Sequence, residues 1–155
     1  MPTIFKPPIP FVLDHRPSLF LAGSIEMGRA DGWQERVEAA LADLDAVILN
    51  PRREEWDSSW RQSIHEPTFR EQVEWELTGL ECASLVAVYF APDTKAPITL
   101  LELGLFARSE RLIVCCPDGY WRKGNVEVVC ARYNVPLFDD LPGLIAEIRL
   151  RLSGS

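Results

Sequence analysis

The chain reads as an α/β three-layer sandwich built on a five-stranded parallel sheet. Two observations predict it. Short apolar runs alternate along the sequence with amphipathic segments of helical period, the pattern of strand–helix–strand units. The runs are apolar throughout rather than at alternate residues, as strands are when helices cover both faces of a sheet. The length agrees with one such domain: 155 residues, 47% hydrophobic and 10% aromatic, suffice for a single core. Residues 1–17 stand apart as a proline-rich N-terminal extension, and residues 18–155 make up the domain proper.

The extension holds Pro2, Pro7, Pro8, Pro10 and Pro17 of the twelve prolines, so it is expected to lie extended across the surface. Ser18 to Ala22 is the first strand, ending at Gly23. Asp31 is placed to cap a helix running to about Leu44, whose Trp33, Val37, Leu41 and Leu44 fall on one stripe. Ala46 to Leu49 is the second strand, closed by Asn50-Pro51. Residues 51–66 are polar and without a period, with Trp56 and Trp60 among them; ordered loops of that length in a compact domain are usually functional. A helix follows from about Phe69 to Cys82, with Pro67 just before it. Ser84 to Phe90 is the most apolar strand, and a third helix runs from near Thr99 to around Arg108. Leu112 to Cys116 is the fourth strand, Val126 to Tyr133 a helix, Val135 to Phe138 a short fifth strand, and Leu141 to Leu152 the last helix. With right-handed crossovers, ligands of such a sheet sit beyond the carboxyl ends of its strands. Those ends are Gly23-Ser24, Asn50-Pro51-Arg52, Ala91-Pro92-Asp93 and Pro117-Asp118.

Composition narrows the partners. Sixteen Lys and Arg against 23 Asp and Glu give a net charge of −7, whereas a phosphate backbone calls for a basic face. No nucleic acid polymer is expected as a partner, while a small nucleotide stays open. No apolar run approaches the roughly 20 residues that span a bilayer, so no membrane partner is expected either. The start of the chain, with Lys6 and four prolines by Pro10, is not the apolar core of a signal peptide, which makes the cytoplasm the expected compartment. Cys82, Cys115, Cys116 and Cys130 form no CxxC pair, and only His15 and His65 could add imidazole ligands. Buried small hydrophobes are the reading, with no metal and no disulfide.

Several segments could carry chemistry. Gly23-Ser24-Ile25-Glu26-Met27-Gly28-Arg29 follows a strand but has neither the GxGxxG spacing nor a GK[ST] ending, so no dinucleotide or P-loop cofactor is expected. A glycine and serine there let a small ligand approach the backbone, or simply make a tight turn. Thr99-Leu100-Leu101-Glu102 opens the third helix, and two readings compete. Thr99 and Glu102 have the spacing of a capping box, which makes Glu102 structural. Alternatively, Glu102 in the first turn is held ionised by the helix dipole, as a glycosyl-transfer nucleophile requires. Arg52, Arg53, Trp56, Asp57 and Trp60 in the long loop, and Tyr120 to Asn125 after the fourth strand, suit stacking on a planar base or plain surface packing.

Taken together, Phe20 to Ile25, Asn50 to Arg53, Glu76 to Phe90, Thr99 to Ala107 and Gly119 to Asn125 make the chain resemble the nucleoside 2-deoxyribosyltransferase-like superfamily, which includes the 2'-deoxynucleoside 5'-phosphate N-hydrolases. The resemblance implies a flavodoxin-like sandwich and no cofactor. It makes Glu102, in Glu102-Leu103-Gly104-Leu105-Phe106-Ala107, the nucleophile that attacks the anomeric carbon of a 2-deoxyribosyl group. The covalent intermediate then passes its sugar to another base or to water. Glu76 falls where the family carries a second acidic residue, one methylene longer than the common aspartate. Transferases carry an aspartate six residues before the nucleophile; here Ala96 stands there, and Asp93, three residues earlier, is the substitute. The hydrolases' serine near that place is also missing. Glu26 replaces the first arginine of the hydrolases' Gly-Ser-Ile-Arg-Gly-Gly-Arg loop, which favours an uncharged nucleoside over a nucleotide.

The expectation is thus a nucleoside deoxyribosyltransferase acting on a small-molecule nucleoside and free base. Glu102, Glu76 and Asp93 are its catalytic candidates, and Gly23, Ser24, Asn50, Asp57, Trp60 and Asn125 line its pocket. In the family the C-terminal part of one subunit often completes a neighbour's site, with Asn125 matching an asparagine there, so the resemblance implies a homo-oligomer with shared active sites. The alternatives are an N-glycosidase that gives free base and sugar, or a module that binds a nucleotide derivative without turnover.

Overall fold

The continuous apolar runs become parallel strands, and there are six of them. The computed structural model describes residues 1–24, 32–53 and 59–154. In chain order it runs β1 (Thr3–Phe5), β2 (Ser18–Gly23), α1 (Trp33–Ala40), β3 (Val47–Leu49), α2 (Pro67–Cys82), β4 (Leu85–Tyr89), α3 (Pro97–Phe106), β5 (Leu112–Cys115), α4 (Lys123–Arg132), β6 (Leu137–Phe138) and α5 (Leu141–Ser153). The sheet order is β1-β3-β2-β4-β5-β6 and every pairing is parallel. Without β1, the remaining five follow the doubly wound order 2-1-3-4-5, whose switch point lies between the first and third of them, here β2 and β4.

The sixth strand corrects the expected five. Thr3-Ile4-Phe5, inside the proline-rich segment, pairs with Val47–Leu49 at the open edge of β3. Thr3 N–H donates to the Ala46 carbonyl at 2.9 Å, and Asn50 N–H donates to the Phe5 carbonyl at 3.0 Å. An exposed strand edge leaves backbone donors and acceptors unpaired, and three residues flanked by prolines are enough to cover it. The segment continues over α2, where the Trp75 indole N–H donates to the Ile9 carbonyl at 2.9 Å. The Phe11 ring meets Trp75 edge-on at 5.4 Å.

Alternate strand residues feed two cores, as the pleat requires. Phe20, Leu49, Val86, Val88 and Val114 face Trp75 and Leu80 of α2, Leu103 of α3, and Val126 and Cys130 of α4. Leu19, Leu21, Ile48, Ala87 and Ile113 face Trp33 and Val37 of α1, and Leu144 and Ile148 of α5. So α2, α3 and α4 share one layer. Gly79 sets how closely α2 approaches the sheet: a Cβ there would lie 2.6 Å from the Phe20 ring.

Helix boundaries shift in ways that matter for the site. Pro97 fills the first position of α3, entered through Ala96 in a left-handed conformation (φ 47°). Thr99 therefore sits inside the helix and caps nothing, and the capping-box reading fails. α1 ends at Ala40 rather than near Leu44, although Leu41 stays buried below it. The expected cap at Asp31 lies outside the described residues. Among the described residues no helix is long and apolar enough to cross a membrane.

Candidate functional site

Both α2 and α3 start near the carboxyl ends of the strands that precede them and run back along the same face of the sheet. Each carries one acidic residue inward. Glu102 lies in the second turn of α3 and is 8% exposed, while Glu76 of α2 is half-buried. Burial pushes the Glu102 carboxyl up to about 8, and the neighbouring Glu76 charge adds to that. Burial also pushes Glu76 up, to about 7, against the opposing effect of a hydrogen bond from Gln72. These directions correct the expectation that a first-turn dipole holds Glu102 ionised. Glu102 stands one turn too deep for that, and desolvation prevails. Both carboxyls are thereby favoured in their protonated forms, and the charge of Glu76 links its titration to that of Glu102.

The link to the sheet is Gln72, 4% exposed, one turn before Glu76. Its Nε2 donates to Glu76 Oε2 at 2.7 Å and to the Pro51 carbonyl, just past β3, at 3.0 Å. The next residues fold onto α2 as well. The Arg53 guanidinium lies 3.6 Å from the Glu71 carboxylate and 5.0 Å over the ring of Trp60. Among the described residues, the buried side-chain atoms without a hydrogen-bond partner are Gln34 Nε2, Arg53 Nε and Nη1, and Gln72 Oε1. All flank residues 51–53, since Gln34 Oε1 accepts from Arg52 at 3.4 Å.

The other sequence candidates divide by what holds them. Gly23 is where β2 and β4 come closest to α1; a Cβ there would lie 2.5 Å from both the Trp33 ring and the Tyr89 carbonyl. The Ser24 hydroxyl is enclosed in a ring of hydrogen bonds. Ala91 N–H donates to it at 3.0 Å, it donates to Thr94 Oγ1 at 2.9 Å, and Thr94 donates to the Ala91 carbonyl at 2.9 Å. Asn50 is fully buried: its Nδ2 donates to Glu38 at 2.7 Å and its Oδ1 accepts from the Arg52 N–H at 2.9 Å. Ser24 and Asn50 thus spend their polar atoms on shaping the strand ends. Trp60 sits at the rim under Arg53, and Asp93 and Asn125 are exposed, in the β4–α3 loop and the first turn of α4. Asp57, Glu26 and Trp56 lie outside the described residues.

A second clamp fixes the entry to α3. The Lys95 carbonyl accepts from Tyr120 Oη at 2.6 Å and from the Trp121 indole N–H at 3.1 Å, tying the β4–α3 loop to the β5–α4 loop. With the Ser24–Thr94 ring it holds Ala96 in its left-handed conformation, which costs a residue with a Cβ on the order of 1–2 kcal/mol. A groove of about 560 Å³ lies at the opposite end of the sheet, lined in part by Arg16, Ser18, Cys82, Ser84, Arg111 and Arg151. Its guanidinium groups are committed to Asp14, to the Leu80 and Ala83 carbonyls, and to Glu147. Of the two places, the one that holds Glu102 and Glu76 makes the better candidate site, because it brings two perturbed carboxyls together where burial desolvates them.

The family model described as "Nucleoside 2-deoxyribosyltransferase like" matches residues 16–120. The chain belongs to this family. The match takes in Glu76, Asp93 and Glu102 and ends before Asn125. The structure is also similar to that of a conserved protein from Enterococcus faecalis V583. The TM-score is 0.62 at 11% identity, over 88% of this chain and 99% of that one, a likeness of fold alone. No curated protein matches the chain.

Within this deoxyribosyltransferase-like fold, the sequence reading missed two contributors. Gln72 carried a signal, being four residues from Glu76 and so on the same face of a helix. Thr94 carried none: its partner Ser24 is 70 residues away in sequence.

Proposed function

We propose that the protein is a nucleoside 2-deoxyribosyltransferase-like enzyme that cleaves the N-glycosidic bond of a 2'-deoxynucleoside and transfers the sugar to another base. The observation that carries this reading is the pairing of Glu102 with Glu76 in a desolvated site between α2 and α3, in a chain of this family. Such a pair, holding one proton, offers a nucleophile and an acid together. Glu102 first passes its proton to Glu76, and its carboxylate oxygen then bonds to the anomeric carbon as the carbon–nitrogen bond breaks. The bonding electrons stay on the base nitrogen, and the base takes up the proton the pair had held. In the second half, a nitrogen of the incoming base attacks the same carbon, the glutamyl ester bond opens, and the incoming base returns a proton to the pair. Two inversions give net retention.

Asp93 meets the base in this reading, Asn125 and Trp60 border the sugar and base, and Gly23, Ser24 and Asn50 shape the floor on which they rest. Two buried acids suit a neutral sugar better than a phosphate, so an uncharged nucleoside is the preferred substrate, met in the cytoplasm. α3 turns the Ile98, Leu101 and Leu105 side chains to solvent, each more than half exposed. Such a stripe on the helix that carries the nucleophile supports a homo-oligomer whose subunits meet beside the site. Hydrolysis, with water as acceptor, is the second reading, favoured by Ala96 at the place where transferases carry an aspartate.

Incubation with a panel of 2'-deoxynucleosides, with and without an acceptor base, tests both. Transfer predicts a new nucleoside only when acceptor is present, and hydrolysis predicts free base in either case. Glu102→Gln is expected to abolish both. Full activity in that variant would overturn the assignment, and saturable binding without release of base would leave a binding module instead.

A further inference from the structure

We propose that Gln72 is the positioning residue of the carboxylate pair, tying Glu76 to the main chain at the carboxyl end of β3 so that the loop after β3 and the pair hold their geometry together. The inference rests on the proposed glycosyl chemistry for its kinetic consequences, though not for its geometry. The orientation of the Gln72 amide follows from its partners. The Pro51 carbonyl can only accept, so the nitrogen must face it, at 3.0 Å; the other hydrogen of that nitrogen then points to Glu76 Oε2, at 2.7 Å. Turning the amide over would set oxygen against oxygen at Pro51.

Gln72 is 4% exposed, and its Oε1 has no hydrogen-bond partner among the described residues. A side chain kept only for packing would be better apolar, because a buried acceptor without a donor works against folding. What the glutamine adds is the double donation from one nitrogen. It reaches from the helix that carries Glu76 to the first residue after Asn50, where the chain enters the long loop. Two residues on, Arg53 lies over Trp60 and against Glu71, the residue beside Gln72. A shift of the main chain at Pro51 therefore passes directly to Glu76, whose charge acts on Glu102.

Gln72→Met keeps the length and volume and removes both donors. Its expected effect is a fall in kcat on the order of 10- to 100-fold, the equivalent of one hydrogen bond to a charged group, with KM nearly unchanged. In a Glu76→Gln background the same change is expected to cost almost nothing more, since the residue acts through Glu76. Gln72→Asn, too short to span both partners, should not rescue. Equal losses with and without Glu76, or a KM effect alone, would overturn the proposal. A second readout is independent of turnover: the Glu76 carboxyl-carbon resonance should move in Gln72→Met while the melting curve stays cooperative. An unmoved resonance overturns the tie; a moved resonance in a wild-type protein that turns over no nucleoside upholds the tie and rejects the enzyme reading instead.

Discussion

Replacing Glu102 by Gln should make the protein more stable at alkaline pH while disabling it. An ordinary glutamate ionises near 4.5, and in the folded protein Glu102 holds its proton to about 8. With the folded value above the unfolded one, its contribution is fully present below pH 4.5 and is lost as pH rises toward 8, where the folded state must bury a charge beside Glu76. At about 1.4 kcal/mol per pH unit, the interval sets a ceiling of about 4–5 kcal/mol. Relaxation and entry of water around the ionised group reduce this, so a gain of about 1–2 kcal/mol is expected for Glu102→Gln at pH 8, or roughly 3–8 °C in Tm for a domain of this size. At pH 5 the two proteins should melt within about a degree of each other. Thermal melts by circular dichroism between pH 5 and 8 give the comparison. Acids away from the pair titrate identically in both proteins, so the difference between the curves isolates Glu102 together with its coupling to Glu76. A gap that is the same at both ends, or that favours the wild type at pH 8, would refute the burial argument.

Two further outcomes follow from packing and exposure. Gly79→Ala puts a Cβ 2.6 Å from Phe20, which is fully buried, and 3.3 Å from Leu49. Overpacking should cost about 1–3 kcal/mol, offset by about 1 kcal/mol of better helix propensity, so a lower Tm is expected together with lower activity, because α2 carries both Gln72 and Glu76. Leu101→Glu places a charge in the middle of the exposed stripe of α3, where Leu101 is 58% exposed. If the proposed homo-oligomer forms through this stripe, light scattering should show a loss of mass with an unchanged circular dichroism spectrum, and an unaltered mass would remove α3 from the proposed interface.

The strands of the core were legible because burial on both faces leaves an unbroken apolar run, as at Leu85–Tyr89. β1 was not, since three residues among prolines look like any extended segment, and only the open edge of β3 makes them a strand. The places of Glu76 and Glu102 on two neighbouring helices were legible through the family resemblance, which covered both helices. Their electrostatics were not: the depth of Glu102 depends on where α3 starts, and Pro97 after a left-handed Ala96 starts it two residues before Thr99. Ser24 and Asn50 stood correctly at the strand ends, but Thr94 and Glu38, the partners that engage their side chains, belong to other elements. Local spacing carries no trace of those meetings.

The proline-rich strap also changes the entropy of folding. Five prolines in residues 1–17 restrict the unfolded chain before any contact forms, so less freedom is lost when the segment settles on β3 and over Trp75. A flexible segment of equal length would have to recover roughly 1–2 kcal/mol of backbone entropy per ordered residue from the three-residue ladder, the indole bond and the packing of Phe5, Phe11 and Leu13 on the core. Stiffness written into the chain thus works with these contacts to let so short a strand hold the edge of the sheet.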